Sequence, residues 1–178
     1  VSRGVACPLM LKEDVVSGYT AGAGEIGHTV ISVNGELKCV DDLGSEAAIF
    51  KKCQEAMLEG RLPELKRFMQ QDGRLRMDRI IEVQEQGNAE VNAMIEYAIG
   101  YLGIALANVV NLINPGYVVV DSCLFQTEKN RKNLLESAKR NFFGLNEEEV
   151  QIVFTTFEKF RGAKGASFFL LRERFLNI

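Results

Sequence analysis

The segment GAGEIGH, residues 22–28, holds the only histidine of the chain. His28 follows the carboxylate Glu25 by three residues and sits directly behind a glycine-rich bend. Glycine lets backbone turn through positive φ, so both side chains can project from one turn. A carboxylate only accepts hydrogen bonds, whereas an imidazole can donate and accept. Such a pair suits a polyhydroxylated ligand, because every sugar hydroxyl both gives and takes a hydrogen bond. The spacing leaves two readings open. Either Glu25 and His28 face one small polar pocket, or His28 opens a strand with its ring satisfied by a backbone carbonyl and Glu25 is solvated.

The elements that must position these residues can be read from apolar periodicity and turn chemistry. Residues 4–11 are expected to form a buried strand, residues 13–27 a glycine-rich connection, and HTVISV a second strand. The Asn34-Gly35 turn then leads into LKCV, which can pair back as a hairpin. Ser45 is a candidate N-cap for a helix burying Ile49, Cys53 and Ala56 or Met57. Gly60 ends that helix, Pro63 suits the first turn of the next, and Gly73 ends it in turn. A short helix around 78–86 closes at Gly87-Asn88. Ile95, Ile99, Leu102, Leu106, Val109 and Ile113 recur in steps of four and three, the pattern of a core helix. Gly100, Gly103 and Ala107 form a small-residue face on it, which calls for a closely approaching helix or subunit. YVVV reads as a strand, 127–141 as an amphipathic helix, VQIVFT as a strand and 162–175 as a closing helix. Three β-then-α passages predict an α/β fold with helices packed against a mixed sheet.

Composition narrows the class. Of 178 residues, 47% are apolar and 25% charged, and the net charge is −3, so the chain is globular and has no general attraction for a polyanion. Lys129 to Lys132 with Lys139 and Arg140 read as a solvated helix face rather than a DNA contact. Cys7, Cys39, Cys53 and Cys123 are scattered without CxxC spacing, and no signal-peptide pattern is seen; a reducing cytoplasm is the expected compartment. The apolar stretch from Met94 to Val120 is interrupted by Glu96, Asn108, Asn111 and Asn114 and reads as a buried helix and strand, with no membrane partner expected. The opening VSRGVACPLML has no preceding turn or cap, and a truncated chain lacking an upstream half is expected.

Three blocks, GYTAGAGEIGHTVISVNGELKCVDDLGSEA, YLGIALANVVNLINPGYVVV and GAKGAS, stand in an order and at distances that resemble the ROK family of sugar-responsive bacterial repressors and sugar kinases. The resemblance covers almost the whole chain. It implies an actin-like, ribonuclease-H-like α/β fold, with residues 1–178 a single domain, the C-terminal sugar-binding and oligomerisation lobe of a larger protein. It assigns sugar hydroxyls to Glu25 and His28. A further sugar-binding glutamate of the family falls on Ala47 by strict alignment and on Glu46 after a one-residue deletion.

The same resemblance bears on metal and nucleotide. Many members hold zinc with this histidine and the three cysteines of C-x-C-G-x-x-G-C. Here Lys38, Val40 and Ser45 stand at the cysteine positions and Cys39 is out of phase, so no zinc is expected. Family kinases follow the strand after LNP with a Gly-Gly pair close to the nucleotide. Asp121 and Ser122 replace that pair, crowding the position and setting a carboxylate against phosphate. The expected function is therefore the effector-binding, homo-oligomerising half of a transcriptional regulator, with no catalytic residue, with DNA contacted only through an upstream domain, and with no cofactor. The alternative is half of an ATP-dependent kinase of a hexose or amino sugar, with its general base upstream.

Overall fold

Among the described residues short antiparallel strand pairs come first, then a run of five helices, then strand and helix in alternation. The computed structural model describes residues 4–12, 14–144, 150–156, 160–171 and 174. Strands β1 (Met10–Leu11) and β2 (Asp14–Val15) pair antiparallel. Strands β3 (Val30–Val33) and β4 (Glu36–Cys39) form a hairpin. Asn34 and Gly35 at its tip have φ of 53° and 86°, the double positive φ that a tight two-residue hairpin needs. Four helices follow, α1 (Val40–Gly44), α2 (Glu46–Leu58), α3 (Pro63–Asp72) and α4 (Met77–Glu85). The long α5 (Ala89–Ile113) precedes β5 (Tyr117–Val120), α6 (Glu128–Lys139), β6 (Gln151–Phe154) and α7 (Arg161–Leu171).

The α/β class is as expected, with the strands distributed over three two-stranded sheets. β5 and β6 run parallel and are joined through α6. The expected strand over residues 4–11 is reduced to β1. Its earlier residues bond to a loop instead of a ladder: Cys7 N–H donates to Gly24 O (2.7 Å) and Val5 O accepts from Gly27 N–H (2.9 Å). Of the expected closing helix, α7 accounts for the part up to Leu171, and positions 172, 173 and 175 lie outside the described residues.

Local rules set the helix ends. Ser45 accepts from Ala48 N–H at 3.1 Å and so caps α2. Pro63 occupies the first turn of α3, and Gly73 closes that helix in the left-handed conformation. Asn88 caps α5 by accepting from Glu90 and Val91 N–H, both at 3.1 Å. Ile49, Leu65, Ile80, Ile95 and Ile99 build the core where α2, α3, α4 and α5 meet. By length and composition α5 could cross a membrane. In this fold its Val91, Ile95, Ala98, Ile99 and Val110 are buried, and it packs on α1, α2, α4 and α6.

The small-residue face of α5 meets a neighbouring helix. A Cβ at Gly103 would collide with Ser137 of α6, and Ser137 Oγ donates to Gly100 O at 2.8 Å. At Gly100 itself an added Cβ meets nothing within 4 Å. A second tie holds the turn after β5. Gln84 of α4 and Asn130 of α6 exchange amide hydrogen bonds at 2.9 and 3.0 Å, and Asn130 Nδ2 also donates to Leu124 O at 2.9 Å. Asn130 is fully buried, so each of these bonds offsets a desolvation cost.

The two glycines should therefore respond oppositely to substitution. Gly103→Val is expected to lower stability by about 1–3 kcal/mol through overpacking. Gly100→Ala should raise it by roughly 0.5–1 kcal/mol, since alanine favours a helix interior over glycine. Urea denaturation of both variants checks the pair.

Candidate functional site

The site is built on a 3₁₀ turn, Ile26–His28, whose geometry is imposed by what lies beneath it. Gly24 has φ +87°, and a Cβ there would collide with Cys7 O. Gly27 is buried, and a Cβ there would strike the Asp41 carboxylate and Val5 O. Asp41, on α1, accepts from Val5 N–H at 2.6 Å. Residues 4–7, the glycine turn and α1 are thus locked in one knot. The turn is closed above by His28 N–H to Glu25 O (3.1 Å), and Thr29 Oγ1 donates to Ile26 O at 2.7 Å.

Glu25 stands just before the turn with non-helical backbone (φ −74°, ψ 57°), and His28 ends it. Both are exposed, and among the described residues neither side chain has a hydrogen-bond partner. They flank the turn, and neither lines the cavity beside it. Their neighbour Ile26 is the residue that turns inward, onto a cavity of about 170 Å³ between residues 4–7, α5 and β5.

Glu46 also lines that cavity. As the first residue of α2 its carboxylate sits at the positive end of the helix, where negative charge is favoured. Its Oε1 accepts from Ser122 Oγ at 2.8 Å, and Ser122 Oγ accepts in turn from Leu124 N–H at 3.1 Å. The bond joins the start of α2 to the turn after β5 across 76 positions of sequence. Neighbouring Asp121 is exposed and accepts from Thr155 Oγ1 at 2.9 Å.

Sequence reasoning missed two residues here. Asp41 gave no motif, because its work is to hold a backbone amide 36 positions away. Ser122 was read as an obstruction at a nucleotide position, not as a partner of Glu46. The glycine at position 27 was the available signal for the first, since a glycine behind a functional pair marks a close approach.

The positions that would carry zinc in the cysteine pattern do not fit it. Lys38 pairs with Glu36 at 3.4 Å. Val40 is fully buried at the start of α1. Ser45 is occupied as the α2 cap and donates to Asp41 O at 2.6 Å. Among the described residues no group of three His, Cys, Asp or Glu side chains could hold a metal ion. The four cysteines are free thiols. Burial pushes Cys53 up to about 11 and raises Cys7 and Cys123 above the usual thiol range, so these sulfurs stay protonated and weakly nucleophilic at neutral pH.

Residues 1–173 match the ROK family model. The chain belongs to the ROK family. It is 29% identical over 129 residues to a putative xylose repressor of Caldicellulosiruptor, covering 67% of this chain and 31% of that protein. It is 25% identical over 149 residues to a glucokinase of Halalkalibacterium halodurans, covering 80% and 44% respectively. Among solved structures, a ROK hexokinase from Thermus thermophilus superposes with a TM-score of 0.72 at 22% identity, over 95% of this chain and 54% of that one. A ROK transcriptional regulator homologous to the E. coli MLC protein gives 0.72 at 20%, over 88% and 40%. The fold is therefore the actin-like α/β fold of ROK proteins. The chain spans between about a third and a half of the length of these relatives. Repressors and sugar kinases both stand among them.

The knot beneath the turn and the exposed residue on it should separate cleanly in stability. Gly27→Ala is expected to cost about 1–3 kcal/mol, because Val5 or Asp41 must move to admit the methyl group. Glu25→Ala should stay within roughly 0.5 kcal/mol of the parent, as exposed substitutions do. Thermal and urea unfolding measure both.

Proposed function

We propose that residues 1–178 form the C-terminal sugar-binding and oligomerising lobe of a larger, cytoplasmic ROK transcriptional regulator, which binds sugar through Glu25, His28 and Glu46 and does so without zinc. The observation that carries this reading is the turn after β5. Where the family resemblance sets a Gly-Gly pair against nucleotide in the kinases, Ser122 is bonded to Glu46 and Asp121 presents a carboxylate. Side chains at this turn leave less room for a polyphosphate, and an anion there opposes it. The likeness to xylose repressors agrees with the regulator reading. DNA would be contacted by an upstream domain, and sugar would change DNA affinity only through different affinities for two arrangements of lobes or subunits.

The kinase reading has its own support. GAKGAS lies in α7 in the family's order, and a glucokinase and a hexokinase are among the relatives. Under it, this chain would supply part of the sugar site and the upstream half the phosphate loop and general base.

Activity measured on the full-length protein discriminates the two. ATP turnover with a panel of hexoses and D-xylose should be absent, and sugar-dependent turnover would reject the regulator. Calorimetry with D-glucose and D-xylose should show Glu25→Ala and Glu46→Ala weakening binding by about 10- to 100-fold, the effect of losing a hydrogen bond to a charged group. Unchanged affinity in both would reject the site. Metal analysis of purified protein is expected to find no zinc, and one zinc per chain would reject that part of the reading.

A further inference from the structure

The walls of the cavity beside Glu46 call for more than a sugar ring. Ile26, Leu102, Leu106, Val109 and Val119 supply apolar surface, and Leu102, Leu106 and Val109 form one stripe of α5 at helical spacing. These three residues belong to the core-helix pattern and are half-buried: Leu102 and Leu106 pack against the core, Leu102 beside Gly44 of α1, and all three also line the cavity. A polyol placed wholly against such walls would give up its hydrogen bonds to water without replacement. An apolar group of about benzene size suits a volume of this order.

The polar end of the same cavity is different in kind. Glu46 presents a carboxylate whose Oε1 is already fixed by Ser122, leaving its other oxygen to accept from a ligand hydroxyl. Ile26 joins the two regions, since it lines the cavity from the turn that exposes Glu25 and His28. A ligand matching both would carry hydroxyls at one end and an apolar body at the other.

We propose that this cavity receives the apolar aglycone of an aryl or alkyl glycoside, with the sugar hydroxyls held at Glu46. The inference rests on the sugar reading above and narrows its ligand class from free sugars to glycosides.

Calorimetry on the full-length protein, with D-glucose and phenyl β-D-glucoside as probes, tests it. The glucoside should bind about tenfold tighter or more, the gain expected from burying much of a phenyl ring. Val109→Phe, which fills the cavity, should bring the two affinities together while leaving that for glucose unchanged. Val118→Ser makes the wall polar at a half-buried position of β5 that also lines the cavity, and should reduce the same ratio if Val109→Phe does not fold. Glucose binding with no advantage for the glucoside would overturn the proposal alone. Binding of neither probe would overturn the sugar reading and the proposal together.

Discussion

The Asp41 carboxylate, bonded to the Val5 amide at 2.6 Å and set against Gly27, is the contact on which the turn between Glu25 and His28 is built. Val5 accepts from Gly27 N–H while its own amide is held by Asp41, and Gly27 can sit there only because it lacks a side chain. The turn carrying Glu25 and His28 is stacked on that pair. Exposed polar side chains ordinarily wander among rotamers at little cost. Here the backbone beneath them is held through Val5, Gly27 and Asp41, and under the proposed sugar reading such a base would remove part of the ordering cost from binding.

The hairpin that follows is held by the same economy of short contacts. Zinc would fix the histidine ring and tie the hairpin to the next helix in one step. In this chain Val40 N–H donates to Thr29 O at 3.0 Å and the Val40 side chain is fully buried, joining the start of α1 to the residue before β3 by packing and one backbone bond. Ser45 extends the join by donating to Asp41 O and capping α2. Asp41 thereby serves both the turn below and the helix junction above, through its carboxylate and its carbonyl.

Much of this architecture was legible in the sequence because it rests on neighbours. The Ser45 cap, the Asn34-Gly35 hairpin, Pro63 at a helix start and the stripe of α5 are decided within one or two turns of chain. The strand expected over residues 4–11 failed for the opposite reason. An apolar run specifies burial but not a partner, and Val5 and Cys7 bond to a loop some 20 residues downstream. At the site, the types of Glu25 and His28 could be read, but whether they are enclosed could not, because that depends on which way Ile26 turns. The Glu46 to Ser122 bond was invisible on the same grounds, since nothing local marks two residues 76 positions apart as neighbours.

That bond also explains how one small contact can matter to two regions. Ser122 Oγ bridges the Glu46 carboxylate and the Leu124 amide, and Leu124 O is gripped by fully buried Asn130 at the start of α6. Asn130 in turn exchanges hydrogen bonds with Gln84 of α4. A hydroxyl competing for Glu46 Oε1 would release Ser122 from one end of this chain of bonds, whereas a hydroxyl taking the other carboxylate oxygen would leave the chain intact. The first arrangement would pass a change at the ligand to α4 and α6, and the second would keep it local. Under the proposed sugar reading, only the first arrangement would couple Glu46 to α4 and α6 through Ser122, Leu124 and Asn130.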